Sequence, residues 1–363
     1  MAGQNPGDRI GGFYPMDAPL MSLTARDERM HAWIAQHVAQ KYADGKIACA
    51  PASADASFRR YFRLTLPDGQ TRILMDAPPE KEDSHPFVQV AQLMKEAGIA
   101  APQVEIADFE AGFLLLSDLG TDNLLPHLQA HPEEADTRMR AACQVLVRWQ
   151  AATRPGVLPP YDEALLLRDM HLFPEWFVER HLGKTLSEAQ KNTLEKTFAL
   201  LAASALAQPK VFVHRDYMPR NLMVQPGTDA PAVLDFQDAV EGPLAYDVVS
   251  LFRDAFISWE EEQELDWVVR WWEAARAARL PVPADFAEFW RAYEWMGLQR
   301  HLKVLGIFCR LNYRDGKSHY LTDLPRFLGY ARKTATRYRA FAPLLRLLDE
   351  FEGEPATQVG YTF

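Results

Sequence analysis

The alternation of apolar and polar residues divides the chain into a strand-rich first part and a helix-rich remainder. Apolar side chains recur at intervals of three and four within residues 24–45, which predicts a helix whose N-terminus carries a capping box of Thr24 and Asp27. Residues 58–66 and 71–78 instead alternate, and the intervening Pro-Asp-Gly predicts a hairpin. The other elements predicted here are a helix from Pro86 to Met94 and short strands at 103–108 and 112–118.

Beyond Gly120 the helical period dominates. Helices are predicted at 133–152 and 187–206, and two short apolar strands follow at 211–214 and 232–236. Helical segments rich in Trp and Ala then run nearly to the end, with a break at the Pro-Val-Pro of residues 281–283. The pattern predicts an α+β protein whose second part is mostly helical with one small strand pair.

The predicted domain organisation has three parts. Residues 1–20 are rich in Gly, Pro and Asp and are expected to form a flexible arm. Residues 21–120 are expected to form a small lobe built on an antiparallel sheet. Residues 121–363 are expected to form a helical lobe. A length of 363 residues suits two such bodies better than a single core.

Composition excludes several classes of protein. Hydrophobic residues make up 48% and charged residues 24%, as in globular proteins. A net charge of −10 argues against a nucleic-acid partner. The three cysteines form no metal-binding motif, and no apolar run is long enough to cross a bilayer. We therefore expect a cytoplasmic protein without a signal peptide, membrane association or an evident obligate protein partner.

The strongest chemical motif lies in residues 211–240. An apolar strand leads into His214-Arg215-Asp216, and Asn221 follows five residues after the aspartate. A second apolar strand leads into Asp235. This is the spacing of a kinase catalytic loop, H-R-D-x-x-x-x-N, followed by a metal-binding aspartate.

The residue types suit phosphoryl transfer. The reaction needs a carboxylate that orients the acceptor hydroxyl and takes its proton, and Asp216 is the candidate base. It also needs Mg²⁺, which prefers oxygen ligands, and Asn221 and Asp235 are the candidate ligands. His214 is expected to be a packed, hydrogen-bonded loop residue and not an acid or base.

This segment, together with the following sequence GPLAYDVVSLFRD, resembles the aminoglycoside phosphotransferase and choline kinase group. The resemblance implies a two-lobed protein-kinase-like fold. It also implies that Asp247 matches an aspartate that braces the catalytic loop. A role of Asp247 as a helix N-cap is an alternative.

A closer resemblance extends over about residues 25–340 and is carried by such segments as ILMDAPPEKEDSHPFVQVAQLM, DMHLFPEWFVERHL and QRHLKVLGIFCRLNYRDGKSHYLTDLPR. These segments are similar to the anomeric N-acetylmuramate and N-acetylglucosamine kinases of bacterial cell-wall recycling. The resemblance implies transfer from ATP to the C1 hydroxyl of an amino sugar, and a sugar 1-phosphate product that enters UDP-sugar synthesis.

One departure from the kinase pattern concerns the phosphates of ATP. Kinases usually place a lysine on the third strand, whereas this chain has Met75 near that place. Arg59 or Arg60 is a candidate substitute, with a solvated strand face as the alternative. Ser57, in the small-residue loop before them, is a candidate backbone contact to phosphate.

The adenine is expected at the segment GFLLLSDLG. Backbone groups of Ser117, Asp118 and Leu119 are the candidate partners, and an ordinary buried strand with a polar exit is the alternative.

Two sets of residues are candidates for the acceptor pocket. Residues 297–318 carry five basic side chains against one acid, a net charge of +4 that favours an anionic sugar such as N-acetylmuramate, with a solvated helix face as the alternative. Glu175 is a candidate hydrogen-bond partner for sugar hydroxyls and Trp176 a candidate stacking surface, with core packing of this aromatic segment as the alternative. The basic residues chosen as candidates are Arg300, Lys303 and Arg314.

Two other functions stay open from sequence. One is a kinase for another hydroxyl compound, including an aminoglycoside. The basic 297–318 stretch argues against an aminoglycoside, because it would repel a polycationic antibiotic. The other is a non-catalytic nucleotide-binding protein, which the missing lysine suggests. The presence of Asp216, Asn221 and Asp235 together argues against the latter.

Overall fold

A computed structural model describes residues 25–42, 46–54 and 58–353. The predicted arm at 1–20, and the candidates Thr24 and Ser57, lie outside these residues.

The chain forms two compact units that alternate along the sequence. The first comprises Met1–Glu82 and Ala107–Leu115, and the second comprises Asp83–Ile106 and Leu116–Phe363. The division predicted at residue 120 stays a prediction. Each unit consists of two separate stretches of the chain, so no single residue divides them.

Most of a five-stranded sheet belongs to the first unit. Its strand order is β1-β2-β3-β5-β4, and β1–β2 and β2–β3 pair antiparallel. The predicted hairpin is confirmed as β2–β3, with Thr65 opposite Thr71 and a left-handed Gly69 (φ +84°) in the turn. The strands are β1 (Ala48–Ala54), β2 (Arg60–Thr65), β3 (Thr71–Asp76), β4 (Val104–Asp108) and β5 (Phe113–Ser117).

Strand β1 was not predicted from sequence. Its residues are small and include Pro51, which has no N–H to donate to a neighbouring strand. The sheet accommodates Pro51 because β1 lies at the edge, and the register shifts between Pro51 and Ser53. Pairing with β2, and not local periodicity, therefore defines this strand.

The helices predicted at 86–94, 133–152 and 187–206 are present, whereas those at Leu124–Ala130 and Glu163–Leu172 were not predicted. In the first unit α1 (Ala25–Trp33) continues through a π-helical segment, Ile34–Ala39, into α2 (Gln40–Tyr42). The predicted break at 281–283 separates two long helices of the second unit. The helices of the second unit are α3 (His85–Glu96), α4 (Leu124–Ala130), α5 (Ala135–Ala151), α6 (Glu163–Leu172), α7 (Glu188–Leu206), α8 (Tyr246–Phe252), α9 (Glu261–Ala277), α10 (Phe286–Asp315), α11 (Leu324–Arg337) and α12 (Ala342–Glu352).

Helix α10 is the central packing element of the second unit. It packs against α6, α7, α8 and α11, and most of its middle turns are buried. Gly306 permits the closest approach, since a Cβ atom at this position would lie 2.3 Å from the backbone of Leu172 at the end of α6. This contact fixes the distance between α10 and the end of α6. It therefore also fixes the relative positions of the polar side chains on the two helices.

The second unit contains two small strand pairs, so the predicted single pair was wrong. Strand β6 (Lys210–Val213) pairs with β9 (Val240–Pro243), and β7 (Leu222–Gln225) pairs with β8 (Thr228–Val233). The two strands that precede the catalytic loop and Asp235 are β6 and β8, and they belong to different pairs. The error arose because β7 and β9 are short and carry little apolar alternation.

Across the described ranges, the structure contains no helix with the length and apolar character of a membrane span.

Candidate active site

A buried carboxylate holds the loop that follows β6. Asp247, near the start of α8, accepts the backbone N–H of His214 at 2.6 Å and that of Arg215 at 3.0 Å. Arg215 has a φ of +78°, a left-handed conformation that costs a non-glycine residue about 1–2 kcal/mol. Burial raises the pKa of Asp247 to about 7, against the effect of the two N–H donors. The two hydrogen bonds offset the strained backbone just before Asp216.

His214 joins the two halves of the motif. Its Nε2 donates to the carbonyl of Leu234 at 2.9 Å, and its Nδ1 accepts the backbone N–H of Asp216 at 3.3 Å. The ring is fully buried, and burial lowers its pKa to about 4. His214 is therefore neutral at physiological pH, and it ties the catalytic loop to the residue preceding Asp235.

The candidate base, Asp216, and the candidate metal ligands, Asn221 and Asp235, are joined by hydrogen bonds. The Asn221 amide nitrogen donates to the backbone carbonyl of Asp216 at 2.9 Å and to Oδ2 of Asp235 at 3.3 Å. The Asn221 backbone carbonyl accepts the N–H of Leu234 at 2.9 Å, which fixes this spacing. Gln237 donates to Oδ1 of Asp235 at 2.9 Å. Because the amide nitrogen of Asn221 donates these two bonds, its side-chain oxygen is the atom that could serve as a cation ligand.

A second buried carboxylate engages the side chain of Arg215. Asp169 on α6 lies 3.4 Å from the Arg215 guanidinium and 3.2 Å from Nζ of Lys303 on α10. Tyr161 donates to Asp169 at 2.6 Å, and Lys303 donates to the Tyr246 hydroxyl at 2.9 Å. Burial opposes ionisation of Asp169, but Lys303 and Arg215 outweigh it and lower its pKa. The cluster is thus an ionic anchor for the catalytic loop.

The three basic acceptor candidates occupy different environments. Arg300 is only 2% exposed and donates to the backbone carbonyl of Arg253 at 3.3 Å. Lys303 is committed to Asp169, as described above. Arg314 is exposed near the end of α10 and pairs with its neighbour Asp315 at 2.7 Å. Arg300 and Lys303 are buried and paired within the protein while Arg314 is exposed, so the three side chains do not form one exposed basic surface.

The second pair of acceptor candidates lies on a π-helical extension of α6. This segment, Phe173–His181, packs against α10. Glu175 is exposed and Trp176 is half-buried. Because α6 runs directly into this segment, Glu175 and Trp176 follow Asp169 by less than two helical turns.

The candidates for the ATP phosphates lie in the first unit and differ in their partners. Met75 is fully buried. Arg60 is partly exposed and pairs with two carboxylates, Asp76 at 2.5 Å and Asp27 at 2.8 Å. Arg59 instead pairs with Glu82 at 3.1 Å, an arrangement that parallels the Lys–Glu ion pair of protein kinases.

The candidates for adenine binding lie at the end of β5 and directly after it, in the second unit. The backbone N–H of Ser117 donates to the carbonyl of Gln103 at 2.9 Å. The side chain of Asp118 accepts a backbone N–H two residues later, at 3.0 Å. The Leu119 carbonyl accepts from Gln225 of β7 at 3.1 Å. These bonds fix the segment to the second unit.

Sequence reasoning missed Asp169 and Gln237. Asp169 shares the helical spacing of Leu166, Met170 and Phe173, which are all buried. An acidic residue on an apolar helix face indicates a buried ion pair, and this signal was present in the sequence. Nothing in the local pattern distinguishes Gln237, because its importance arises from the position of Asp235.

Fold and site together define a phosphotransferase of the kinase-like class. Residues 48–295 match the model of the phosphotransferase enzyme family that includes the aminoglycoside phosphotransferases, and the chain belongs to this family. The resemblance proposed from sequence is thereby confirmed.

Two relatives are similar over most of their length. One, from Neisseria meningitidis serogroup B, is described as N-acetylmuramate/N-acetylglucosamine kinase and is 51% identical over 86% of this chain and 93% of its own. Another with the same description, from Pseudomonas aeruginosa, is 46% identical over 90% of this chain and 97% of its own.

The predicted kinase-like fold is confirmed by solved structures. An ethanolamine kinase from Plasmodium vivax matches with a TM-score of 0.58, covering 90% of this chain and 91% of its own at 10% identity. At that identity the match concerns the fold alone.

Proposed function

We propose that this chain is an ATP-dependent kinase that phosphorylates the anomeric C1 hydroxyl of N-acetylmuramate and N-acetylglucosamine. The observation that carries the proposal is the hydrogen-bonded set of Asp216, Asn221 and Asp235, which has the geometry of a phosphoryl-transfer site. The substrate class is supported by the description of the relatives that are 51% and 46% identical. A cytoplasmic location, where ATP is available, and a place in peptidoglycan recycling follow from the same proposal.

The catalytic role proposed for Asp216 follows from its position. It is half-buried near the start of the catalytic loop, where a carboxylate can accept the proton of the C1 hydroxyl as the oxygen attacks phosphorus. Its backbone is fixed by His214 and Asn221, and Arg215 beside it is fixed by Asp169. The backbone that carries the Asp216 side chain is therefore preset, and less ordering is needed at the moment of reaction.

The residues present fit Mg²⁺. Asn221 and Asp235 offer an amide oxygen and a carboxylate, the hard oxygen ligands that this cation prefers. Gln237 orients the carboxylate through a hydrogen bond. When bound, the ion would neutralise negative charge on the phosphates.

Arg59 is the residue proposed to grip the phosphates of ATP in place of lysine. Its ion pair with Glu82 orients the guanidinium, whereas Arg60 is largely neutralised by Asp76. Backbone groups of Asp118 and Leu119 are proposed to pair with adenine. Glu175 and Trp176 are proposed to contact the sugar, and Arg300 and Lys303 are proposed to support the pocket from within.

The proposal is tested by following ATP consumption with a panel of acceptors, with and without Mg²⁺. The panel contains both amino sugars, glucose, choline and an aminoglycoside. The expected result is Mg²⁺-dependent turnover with the two amino sugars only. Turnover with the aminoglycoside or choline and none with the sugars would overturn the proposal.

A further inference from the structure

One face of α10 carries four cations. Arg300, Lys303, Arg310 and Arg314 are spaced by three, seven and four residues, which places them on the same side of a helix. Three of them have protein partners, namely the Arg253 carbonyl, Asp169 and Asp315. Arg310 differs from the others.

Arg310 is half-buried without a close partner. Within residues 25–42, 46–54 and 58–353, its guanidinium makes no ion pair within 4.0 Å, and its buried Nε has no hydrogen-bond acceptor. Burial lowers the pKa of Arg310, the nearby Arg314 lowers it further, and Asp315, Asp169 and Glu175 act in the opposite direction. A cation removed from water in this way is expected to be compensated by an anion.

The neighbours of Arg310 connect it to the rest of the site. Lys303, two turns earlier on the same side of α10, lies 3.2 Å from Asp169, and the segment Phe173–His181 that carries Glu175 packs against α10. Both carboxylates favour the charged form of Arg310, although neither forms an ion pair with it. Asp169 contacts Arg215, which directly precedes Asp216. Glu175 belongs to the segment proposed to contact the sugar. Arg310 is thus within electrostatic reach of both sides of the proposed acceptor pocket.

We propose that Arg310 binds the lactyl carboxylate of N-acetylmuramate, an inference that rests on the proposed function. A guanidinium can donate two parallel N–H groups to a carboxylate, and a half-buried one does so with less competition from water. N-acetylglucosamine has a hydroxyl in place of the lactyl ether. Arg310 therefore determines how well the enzyme uses the acidic sugar relative to the neutral one.

The test compares kcat/KM for both sugars in the wild type, Arg310→Met, Arg310→Lys and Arg291→Met. Arg291 is an exposed residue on the same helix, so its variant controls for the loss of one positive charge. Arg310→Met is expected to lose about ten- to a hundredfold with N-acetylmuramate and less than about threefold with N-acetylglucosamine. Arg310→Lys is expected to recover part of the loss, and Arg291→Met to behave as the wild type.

A change in the ligand completes the design. The methyl ester of N-acetylmuramate has no negative charge, so Arg310→Met is expected to use it as well as the wild type does. Equal losses of Arg310→Met on both sugars, or no loss on N-acetylmuramate, would overturn the assignment while leaving the proposed function intact. A wild-type enzyme that phosphorylates neither sugar would overturn the proposed function, and this inference with it.

Discussion

At the scale of single residues, the catalytic loop depends on groups that do not take part in the reaction. Arg215 is held in a left-handed conformation by Asp247 through the backbone and by Asp169 through the side chain. His214 adds a third attachment, to the residue before Asp235. The loop is therefore set by folding and does not wait for substrate to order it.

Replacing Asp216 with Asn is expected to abolish most catalysis without unfolding the protein. The amide has a similar shape but cannot accept the acceptor proton, so kcat should fall by about a hundred- to ten-thousandfold. Thermal unfolding and ATP affinity should stay near those of the wild type. Asp229→Asn, an exposed change on β8, is the control and should keep normal turnover. Near-normal kcat in Asp216→Asn would remove the residue as the base.

Replacing His214 with Gln is expected to change how stability depends on pH. The pKa of His214 is about 4 in the folded protein, below its ordinary value near 6.5, so the unfolded chain binds the proton more readily. Its contribution to stability is complete above about pH 6.5 and is lost as the pH falls towards 4. Between pH 7 and 5 the wild type should therefore lose about 1–2 kcal/mol more unfolding free energy than His214→Gln. Denaturant titrations at both pH values measure this difference, and parallel losses in the two proteins would contradict it.

The positions of Asp216, Asn221 and Asp235 could be predicted because their spacing is encoded locally, in one loop and the strand after it. Asp169 could not be assigned, since its partners Arg215 and Lys303 are far away in sequence and are brought to it only by helix packing. The pairing of Arg59 with Glu82 could not be assigned for the same reason, because the two residues are separated in sequence and meet only in the folded chain.

At the scale of elements, the contact between α6 and α10 positions the ionic anchor. Gly306 has no side chain to separate α10 from the backbone of Leu172, and one turn earlier Lys303 reaches Asp169 at 3.2 Å. A small shift between the two helices would lengthen this ion pair and release the side chain of Arg215. Helix packing and loop geometry are therefore coupled.

Substituting Ala for Gly306 tests this coupling. The new methyl group would lie 2.3 Å from the Leu172 backbone, so the helices must move apart, and we expect a loss of about 1–3 kcal/mol in stability. We also expect a lower kcat, because the anchor is displaced. Gly329→Ala in α11 is the matched control, since nothing lies within 4 Å of its new Cβ. That variant should be unchanged or more stable by about 0.5–1 kcal/mol. Similar thermal unfolding and kcat for the two variants would contradict the packing account.

Element prediction succeeded where periodicity was strong and failed where pairing was distant. The hairpin β2–β3 and the long helices follow from local pattern and turn residues. Strand β1 and the two separate strand pairs do not, because short strands with weak alternation are defined by the partners they meet.

At the scale of the whole molecule, charge is distributed to serve the chemistry. The chain carries a net charge of −10, yet four cations lie along one side of α10, three of them with partners in the protein and Arg310 without an ion pair among the described residues. In an acidic protein such a face provides a local environment for an anionic ligand. The kinase-like fold supports many acceptors, so the fold does not identify the substrate, and the proposal of an amino sugar rests on the description of the relatives.

The most direct test of the account is the position of the phosphate in the product. N-acetylglucosamine, ATP and Mg²⁺ are incubated with the protein, and the product is examined by proton–phosphorus correlation NMR. We expect the phosphorus to couple to the anomeric proton H1, and Asp216→Asn to yield almost no product under the same conditions. A phosphorus coupled to the two protons on C6 would show a sugar 6-phosphate, and would contradict the assignment of this protein as an anomeric kinase.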